Sequence, residues 1–190
     1  PDPDDERICT WIYEKAALQE NSDTFLTGSH RDTLWEKAYM LTGMENMMMY
    51  FHTEPVFARE VLHNIMDFQL GIAKHYLNAG IEIANAGDDM GTQTGPLLGP
   101  DIVQKFLVPE YRRLFALYQK HNVLINFHSC GNVTWLIDTL IELGIDILNP
   151  VQVSANNLDE LRKKTDRKLA LAGGIPSDLL QTGPVEKIRE

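Results

Sequence analysis

Segments typical of strands and helices alternate along this chain, and this order limits the folds that it can adopt. Short apolar runs that end in glycine or polar residues indicate the strands. The predicted strands cover Thr24 to Gly28, Gly80 to Asp89, Leu124 to Cys130, Asp146 to Leu148 and Lys168 to Ala172. A helix-type segment separates each strand from the next, and this alternation indicates parallel strands joined by helical crossovers.

The predicted helices follow apolar residues at helical spacing, with glycine or proline near their ends. They cover Asp5 to Glu20, two short helices within Asp32 to Phe51 separated by Gly43, Val56 to Ala79, a helix that begins at Pro100, Val133 to Leu143 and Asn157 to Lys164. Pro109 should break or kink the helix from Pro100, because an interior proline removes one hydrogen bond and clashes with the preceding turn.

Two parallel α/β architectures fit this order, a doubly wound sheet and a (β/α)₈ (TIM) barrel. A doubly wound sheet concentrates its site at one switch point, and no G-x-G-x-x-G motif follows a strand here. Polar residues instead end several strands, as they do at the mouth of a barrel. They are His30, Asp88, Asp89, His128, Cys130, Asn149 and Gln152. We therefore predict the α/β class and a (β/α)₈ TIM barrel.

The chain accounts for only part of such a barrel. It has 190 residues, whereas a closed barrel has eight strands and typically about 250 residues. It begins at Pro1 without a methionine and stops within the helical run 184–190. We expect a single domain over residues 1–190, the central portion of a TIM barrel truncated at both ends. Because an incomplete barrel exposes two unpaired strand edges, we also expect instability or pairing with another chain.

Composition argues against several classes of protein. The formal net charge of −10 disfavours binding to nucleic acid or to an anionic membrane, because clustered lysine and arginine hold phosphates. No apolar run is long enough to cross a bilayer. Cys9 and Cys130 lie far apart without a signal-peptide pattern, which favours a reduced, cytoplasmic setting over a disulfide framework. We expect a globular protein whose partner is a small-molecule substrate.

The central predicted strand ends in two residue types that bind metals. Alternate side chains of a strand share a face, so Asn126, His128 and Cys130 point one way while Ile125 and Phe127 point the other. On a helix, positions two apart diverge too far to share one ion. Imidazole and thiolate are zinc ligands, but two ligands do not define a site. A partly buried histidine beside a free cysteine is the alternative.

The second predicted strand ends in two adjacent carboxylates, Asp88 and Asp89. They could act in catalysis as acid/base groups, bind a metal or a hydroxyl group, or only satisfy the backbone of the next loop. If the isoleucines of this strand face the helices, the alternate residues face the barrel interior. Those residues are Glu82, Ala84, Ala86 and Asp88. We predict that substrate binding uses Glu82, Asn126, Asn149 and Gln152.

A set of motifs resembles the uroporphyrinogen decarboxylase superfamily. The motifs are GDDMGTQ (87–93), GPLLGP (95–100), FLVPEY (106–111), HSCGN (128–132), NPVQ (149–152) and LAGGI (171–175). They are specific as a set, and the resemblance covers roughly Phe25 to Glu190. It implies a (β/α)₈ barrel enzyme with one of two competing activities.

One branch of this superfamily contains zinc-dependent, corrinoid-linked methyltransferases such as the methylcobalamin:coenzyme M methyltransferases. Their pattern is His-x-Cys followed much later by a second cysteine. His128 and Cys130 match the first two ligands, so the third, a cysteine, would lie beyond Glu190. The resemblance implies Zn²⁺ as cofactor, a methyl-corrinoid as donor and a thiol or similar acceptor, which zinc would hold as thiolate. A corrinoid protein and a homodimer are the partners that we expect.

The other branch is the decarboxylase itself, which uses no metal. In that branch, arginines of the active site bind the carboxylates of the substrate. Its arginine-rich motif lies upstream of anything present in this chain. Tyr39 loosely matches its active-site tyrosine. Because a cofactor-free decarboxylase has no need of His128 and Cys130, we favour the methyltransferase. Tetrapyrrole decarboxylation and a non-catalytic small-molecule-binding barrel are the alternatives.

Overall fold

The computed structural model describes residues 2–19 and 23–189 of the chain. The strands of this part are β1 (Thr27–His30), β2 (Ile83–Gly87), β3 (Leu124–His128), β4 (Ile147–Val151) and β5 (Ala170–Gly173). The helices are α1 (Glu6–Ala17), α2 (Trp35–Thr42), α3 (Met44–Thr53), α4 (Pro55–Asn78), α5 (Pro100–Ile102), α6 (Val108–Lys120), α7 (Ile137–Glu142), α8 (Leu158–Thr165), α9 (Ser177–Thr182) and α10 (Val185–Arg189). A π-helical turn (Val103–Leu107) precedes α6, and a 3₁₀ turn (Thr134–Leu136) precedes α7.

The five strands form one parallel sheet in the order β1-β2-β3-β4-β5. Each strand therefore pairs with the next strand in sequence, and helical segments connect them along the chain. This is the order of a (β/α)₈ barrel wall, whereas a doubly wound sheet reverses its order at a switch point. The predicted α/β class and TIM-barrel architecture are confirmed.

The elements occur where the sequence predicts them, with shifts at their ends. β1 lies further along the chain than the predicted Thr24 to Gly28. The first helix ends at Ala17, and its predicted end at Glu20 lies outside the described residues. The short helix α9 is an addition. None of the helices within residues 2–19 and 23–189 combines the length and the hydropathy of a membrane span.

The disturbance that the sequence predicts at Pro109 takes the form of a π-helical turn. Pro109 lies in the first turn of α6, directly after the π-helical turn. Proline lacks the N–H group that a regular helix interior requires, and a local π-helical turn accommodates this missing donor. The chain therefore stays helical from Pro100 to Lys120, and a π-helical turn interrupts the regular α-helical hydrogen bonding just before Pro109.

The helices cover one face of the sheet and bury its apolar side chains. Ile125 and Phe127 of β3 and Leu148 of β4 are at most 1% exposed. Phe127 packs edge-on against Tyr111 and Phe115 of α6, with ring centroids 5.6 and 6.2 Å away. Burial of each such side chain contributes about 1.5–3 kcal/mol. This packing leaves the alternate residues of each strand on the opposite face, the barrel interior.

The predicted facing of β2 is wrong. Asn85 lies opposite Asn126 in the register and accepts a hydrogen bond from its side chain at 2.8 Å, so Asn85 is on the interior face. Ala84 and Ala86 belong to the core under the helices. Alanine carries no strong apolar signal, so the alternation along β2 does not identify the helix-facing side. The prediction gave the interior to the wrong set of alternating residues.

Candidate active site

A cavity of about 510 Å³ opens at the carboxyl ends of β1 to β4. Its wall combines strand residues with the start of α2. The lining residues are Ser29, Arg31, Asp32, Glu36, Asn85, Ala86, Gly87, Asp89, Asn126, His128 and Asn149. Parallel strands of a barrel bring their carboxyl ends to one mouth, and the polar strand ends of this sequence therefore meet there.

Three side chains that can bind a metal converge in this cavity. One donor atom from each of Asp89, His128 and Cys130 lies within 4.8 Å of the other two. His128 Nε2 is 3.5 Å from Cys130 Sγ and 3.6 Å from Asp89 Oδ1. The structure thus brings together the two predicted ligands, and it adds a carboxylate that the sequence placed among the catalytic candidates.

Two closely packed loops hold this cluster. The backbone N–H of Cys130 donates to Asp89 Oδ1 at 2.9 Å, and the N–H of Asn132 donates to Thr92 O at 2.7 Å. A Cβ atom on Gly131 would lie 2.4 Å from backbone atoms of Gly91, so only glycine permits this approach. Gly131 also has a φ of +79°, which glycine adopts without strain. The glycines of both motifs therefore set the distance between Asp89 and Cys130.

A neighbouring amide orients the imidazole of His128. Asn149 lies opposite His128 in the β3–β4 register, and its Oδ1 is 3.4 Å from His128 Nδ1. In the tautomer with a proton on Nδ1, His128 would donate a hydrogen bond to this amide oxygen. In that tautomer the lone pair of Nε2 would face Cys130 and Asp89, as in a metal-binding histidine.

The surroundings of Cys130 disfavour a free thiolate. Burial, and then the negative charge of Asp89, raises the pKa of the Cys130 thiol to about 11. A thiol in these surroundings is protonated at neutral pH and is a poor nucleophile. A divalent cation beside it would reverse this balance, because a coordinating thiol loses its proton.

Asp88, a predicted catalytic residue, does not line the cavity. It is fully buried on the helix side, where its carboxylate accepts hydrogen bonds from the N–H groups of Leu34 and Glu36 at 2.9 and 2.7 Å and from the Tyr111 hydroxyl. Burial raises the pKa of Asp88 to about 7. These contacts join β2 to α2 and α6. The location supports an anchoring role and gives no support to a catalytic one.

The predicted substrate-binding residues divide into two groups. Asn126 and Asn149 line the cavity, and their roles there stay predictions. The Gln152 side chain lies behind the wall, where its oxygen accepts a hydrogen bond from the Gly131 N–H. Glu82 lies before β2, at the opposite end of the sheet, and accepts a hydrogen bond from the Leu26 N–H at 3.2 Å. Its predicted place in the site is wrong because the barrel mouth forms at the carboxyl ends alone.

Tyr39 contacts the cavity wall through Glu36, a residue that was not among the predicted site residues. Its hydroxyl donates to Glu36 Oε1 at 3.2 Å, and Glu36 lines the cavity. Burial, and then the charge of Glu36, raises the pKa of Tyr39 to about 12. Burial also raises the pKa of Glu36. Glu36 lies in the first turn of the helix that follows β1. This position could have indicated a residue at the barrel mouth.

His30 was expected near the mouth but belongs to the core. It is 2% exposed and bonds to Gln69 Oε1 at 2.8 Å and to the Tyr118 hydroxyl. Burial lowers the pKa of His30 to about 4, so the imidazole is neutral at pH 7. The mouth at β1 is formed by its neighbours Ser29 and Arg31.

Comparisons with known proteins agree with this fold and with the predicted superfamily. Among solved structures, a methyltransferase from Methanosarcina mazei is similar, with a TM-score of 0.75 and 18% sequence identity. The alignment covers 96% of this chain and 52% of that chain, so this chain spans about half the length of that structure. No curated protein matches. The family described as uroporphyrinogen decarboxylase (URO-D) matches residues 32–190, and the chain therefore belongs to this family.

Proposed function

We propose that this chain carries part of the active site of a zinc-dependent methyltransferase, which moves a methyl group from a corrinoid to a thiol or similar acceptor. The observation that carries the proposal is the convergence of Asp89, His128 and Cys130 at the cavity of the barrel mouth. Membership of the URO-D family and the methyltransferase-like fold support a barrel enzyme of this superfamily.

The donor atoms of this cluster fit zinc. Imidazole nitrogen, thiolate sulfur and carboxylate oxygen are its usual ligands, and a catalytic site uses three of them and keeps one position for substrate. His128, Cys130 and Asp89 would hold the ion, or a cysteine beyond Glu190 would replace Asp89 as the third ligand. Bound zinc would supply the positive charge that keeps an acceptor thiol as thiolate.

The surrounding residues position these donors. Asn149 Oδ1 lies 3.4 Å from His128 Nδ1, and the side-chain oxygen of Gln152 accepts a hydrogen bond from the Gly131 N–H beside Cys130. Such outer contacts typically change metal affinity by about 10–100-fold when they are removed. Their presence around His128 and Cys130 favours a metal site over an accidental pair of side chains.

The described part of the cavity wall carries more acidic than basic side chains. Among the described lining residues, one arginine, Arg31, accompanies the carboxylates of Asp32, Glu36 and Asp89. A substrate with many carboxylates needs cationic partners, and the described wall offers Arg31 alone.

A methyl-transfer assay tests the proposed reaction. Zinc-loaded complete protein is incubated with methylcobalamin and a small thiol. The net reaction replaces the S–H hydrogen by a methyl group, releases a proton and leaves both electrons of the cobalt–carbon bond on the corrinoid. We expect a thioether by mass spectrometry and a loss of about a hundredfold or more in rate for His128→Ala. The control is His63→Ala, an exposed histidine of α4. Equal rates for both variants would contradict the proposal.

A further inference from the structure

We propose that Glu36 is a specificity-determining residue of this cavity, and that it binds a cationic group, such as an ammonium, on the acceptor thiol. The inference rests on the proposed function, because it takes the acceptor to be a thiol held beside His128 and Cys130. It assigns a chemical class to the substrate: a thiol that carries a positive charge a few bonds from its sulfur.

The carboxylate of Glu36 is fixed in place before any ligand binds. Its Oε2 accepts a hydrogen bond from the Asp89 N–H at 3.2 Å, and its Oε1 accepts one from the Tyr39 hydroxyl at 3.2 Å. Its own backbone N–H donates to the buried carboxylate of Asp88 at 2.7 Å. A charged group held in this way loses little freedom when it meets a ligand, which favours binding.

Glu36 also lies next to the metal-binding cluster. Asp89 supplies the N–H that holds Glu36, and the carboxylate of the same residue lies 3.6 Å from His128 Nε2. A carboxylate offers about four acceptor positions, of which these contacts use two. Because Glu36 lines the cavity, its other acceptor positions are available to a small molecule bound by its sulfur at the cluster.

The negative charge of Glu36 has no cationic partner within the described part of the chain. The one arginine of the described cavity wall, Arg31, is 89% exposed and lies 3.8 Å from Asp32, so it compensates that residue instead. The charges of Asp89 and Cys130 would be balanced by a divalent ion. The carboxylate of Glu36 therefore forms a site that attracts a cation and repels a carboxylate or sulfonate.

Three thiols test this inference by calorimetric titration into the zinc-loaded complete protein. Cysteamine carries an ammonium, 1-propanethiol has the same number of heavy atoms without a charge, and 3-mercaptopropionate carries a carboxylate. Because the thiols differ in their own acidity, the comparison is made between wild type and Glu36→Gln for each thiol. The isosteric control is Glu45→Gln, which removes the same charge from an exposed position of α3.

We expect Glu36→Gln to weaken cysteamine binding about tenfold, as for loss of a hydrogen bond between charged groups. Binding of 1-propanethiol should change by less than about twofold, and 3-mercaptopropionate should bind as well or better. Glu45→Gln should leave all three affinities unchanged, and all variants should keep their zinc. Equal losses for the three thiols, or no loss for cysteamine, would overturn the inference alone. Absence of zinc, or of binding by any thiol in wild type, would overturn the proposed function together with it.

Discussion

Two adjacent aspartates of this chain have opposite surroundings. Asp88 is buried against the helices, while the Asp89 side chain is 43% exposed in the cavity. Successive side chains at a strand end point to opposite faces, so one carboxylate anchors a helix and its neighbour faces the site. The sequence alone does not distinguish the two carboxylates. The structure does, because Leu34, Glu36 and Tyr111 donate hydrogen bonds to Asp88.

The anchoring role of Asp88 predicts a loss of stability on removal of one carboxylate oxygen. At pH 8, Asp88→Asn should lower the free energy of unfolding by about 1–2 kcal/mol, because the new amide N–H₂ cannot accept the Leu34 N–H bond. Urea denaturation of the complete protein measures this. Asp23→Asn, at an exposed position, is the control. An unfolding free energy equal to that of wild type would contradict the anchoring role.

At the scale of elements, the alternation of strands and helices was predictable because it follows from local apolar periodicity. The facing of β2 was not, because small residues such as Ala84 and Ala86 join the buried cluster without an apolar pattern that marks the helix side. The pairing of His128 with Cys130 follows from strand geometry alone. The contribution of Glu36 depends on the placement of α2 over the end of β2, which no local pattern reports.

The close approach of the two site loops predicts that one glycine controls metal binding. Gly131→Ala places a Cβ 2.4 Å from Gly91 backbone atoms at a φ of +79°, so the loops must separate. We expect zinc affinity to fall about tenfold or more and stability to fall by about 1–3 kcal/mol. Competition with a zinc-binding dye measures the affinity. Gly95→Ala is the matched control, because nothing lies within 4 Å of its Cβ. Equal zinc affinities for the two variants would show that the loop spacing is unimportant.

At the scale of the whole molecule, sequential strand order explains why distant residues form one site. The carboxyl ends of β1 to β4 converge on one mouth, which brings Glu36, Asp89, His128 and Asn149 to the same cavity. β1 and β5 are the edges of the described sheet, and the interior face carries exposed apolar groups such as Leu124, which is 42% exposed. Such a surface suits a wall that further barrel strands would cover.

The zinc content of the freshly purified, reduced complete protein tests the central claim most directly. Elemental analysis is made on wild type beside the double variant His128→Ala, Cys130→Ala. We expect close to one zinc per chain in wild type and loss of that zinc in the double variant, because the variant removes two of three protein ligands. Wild type without zinc, or a double variant that keeps it, would contradict a metal site at this mouth.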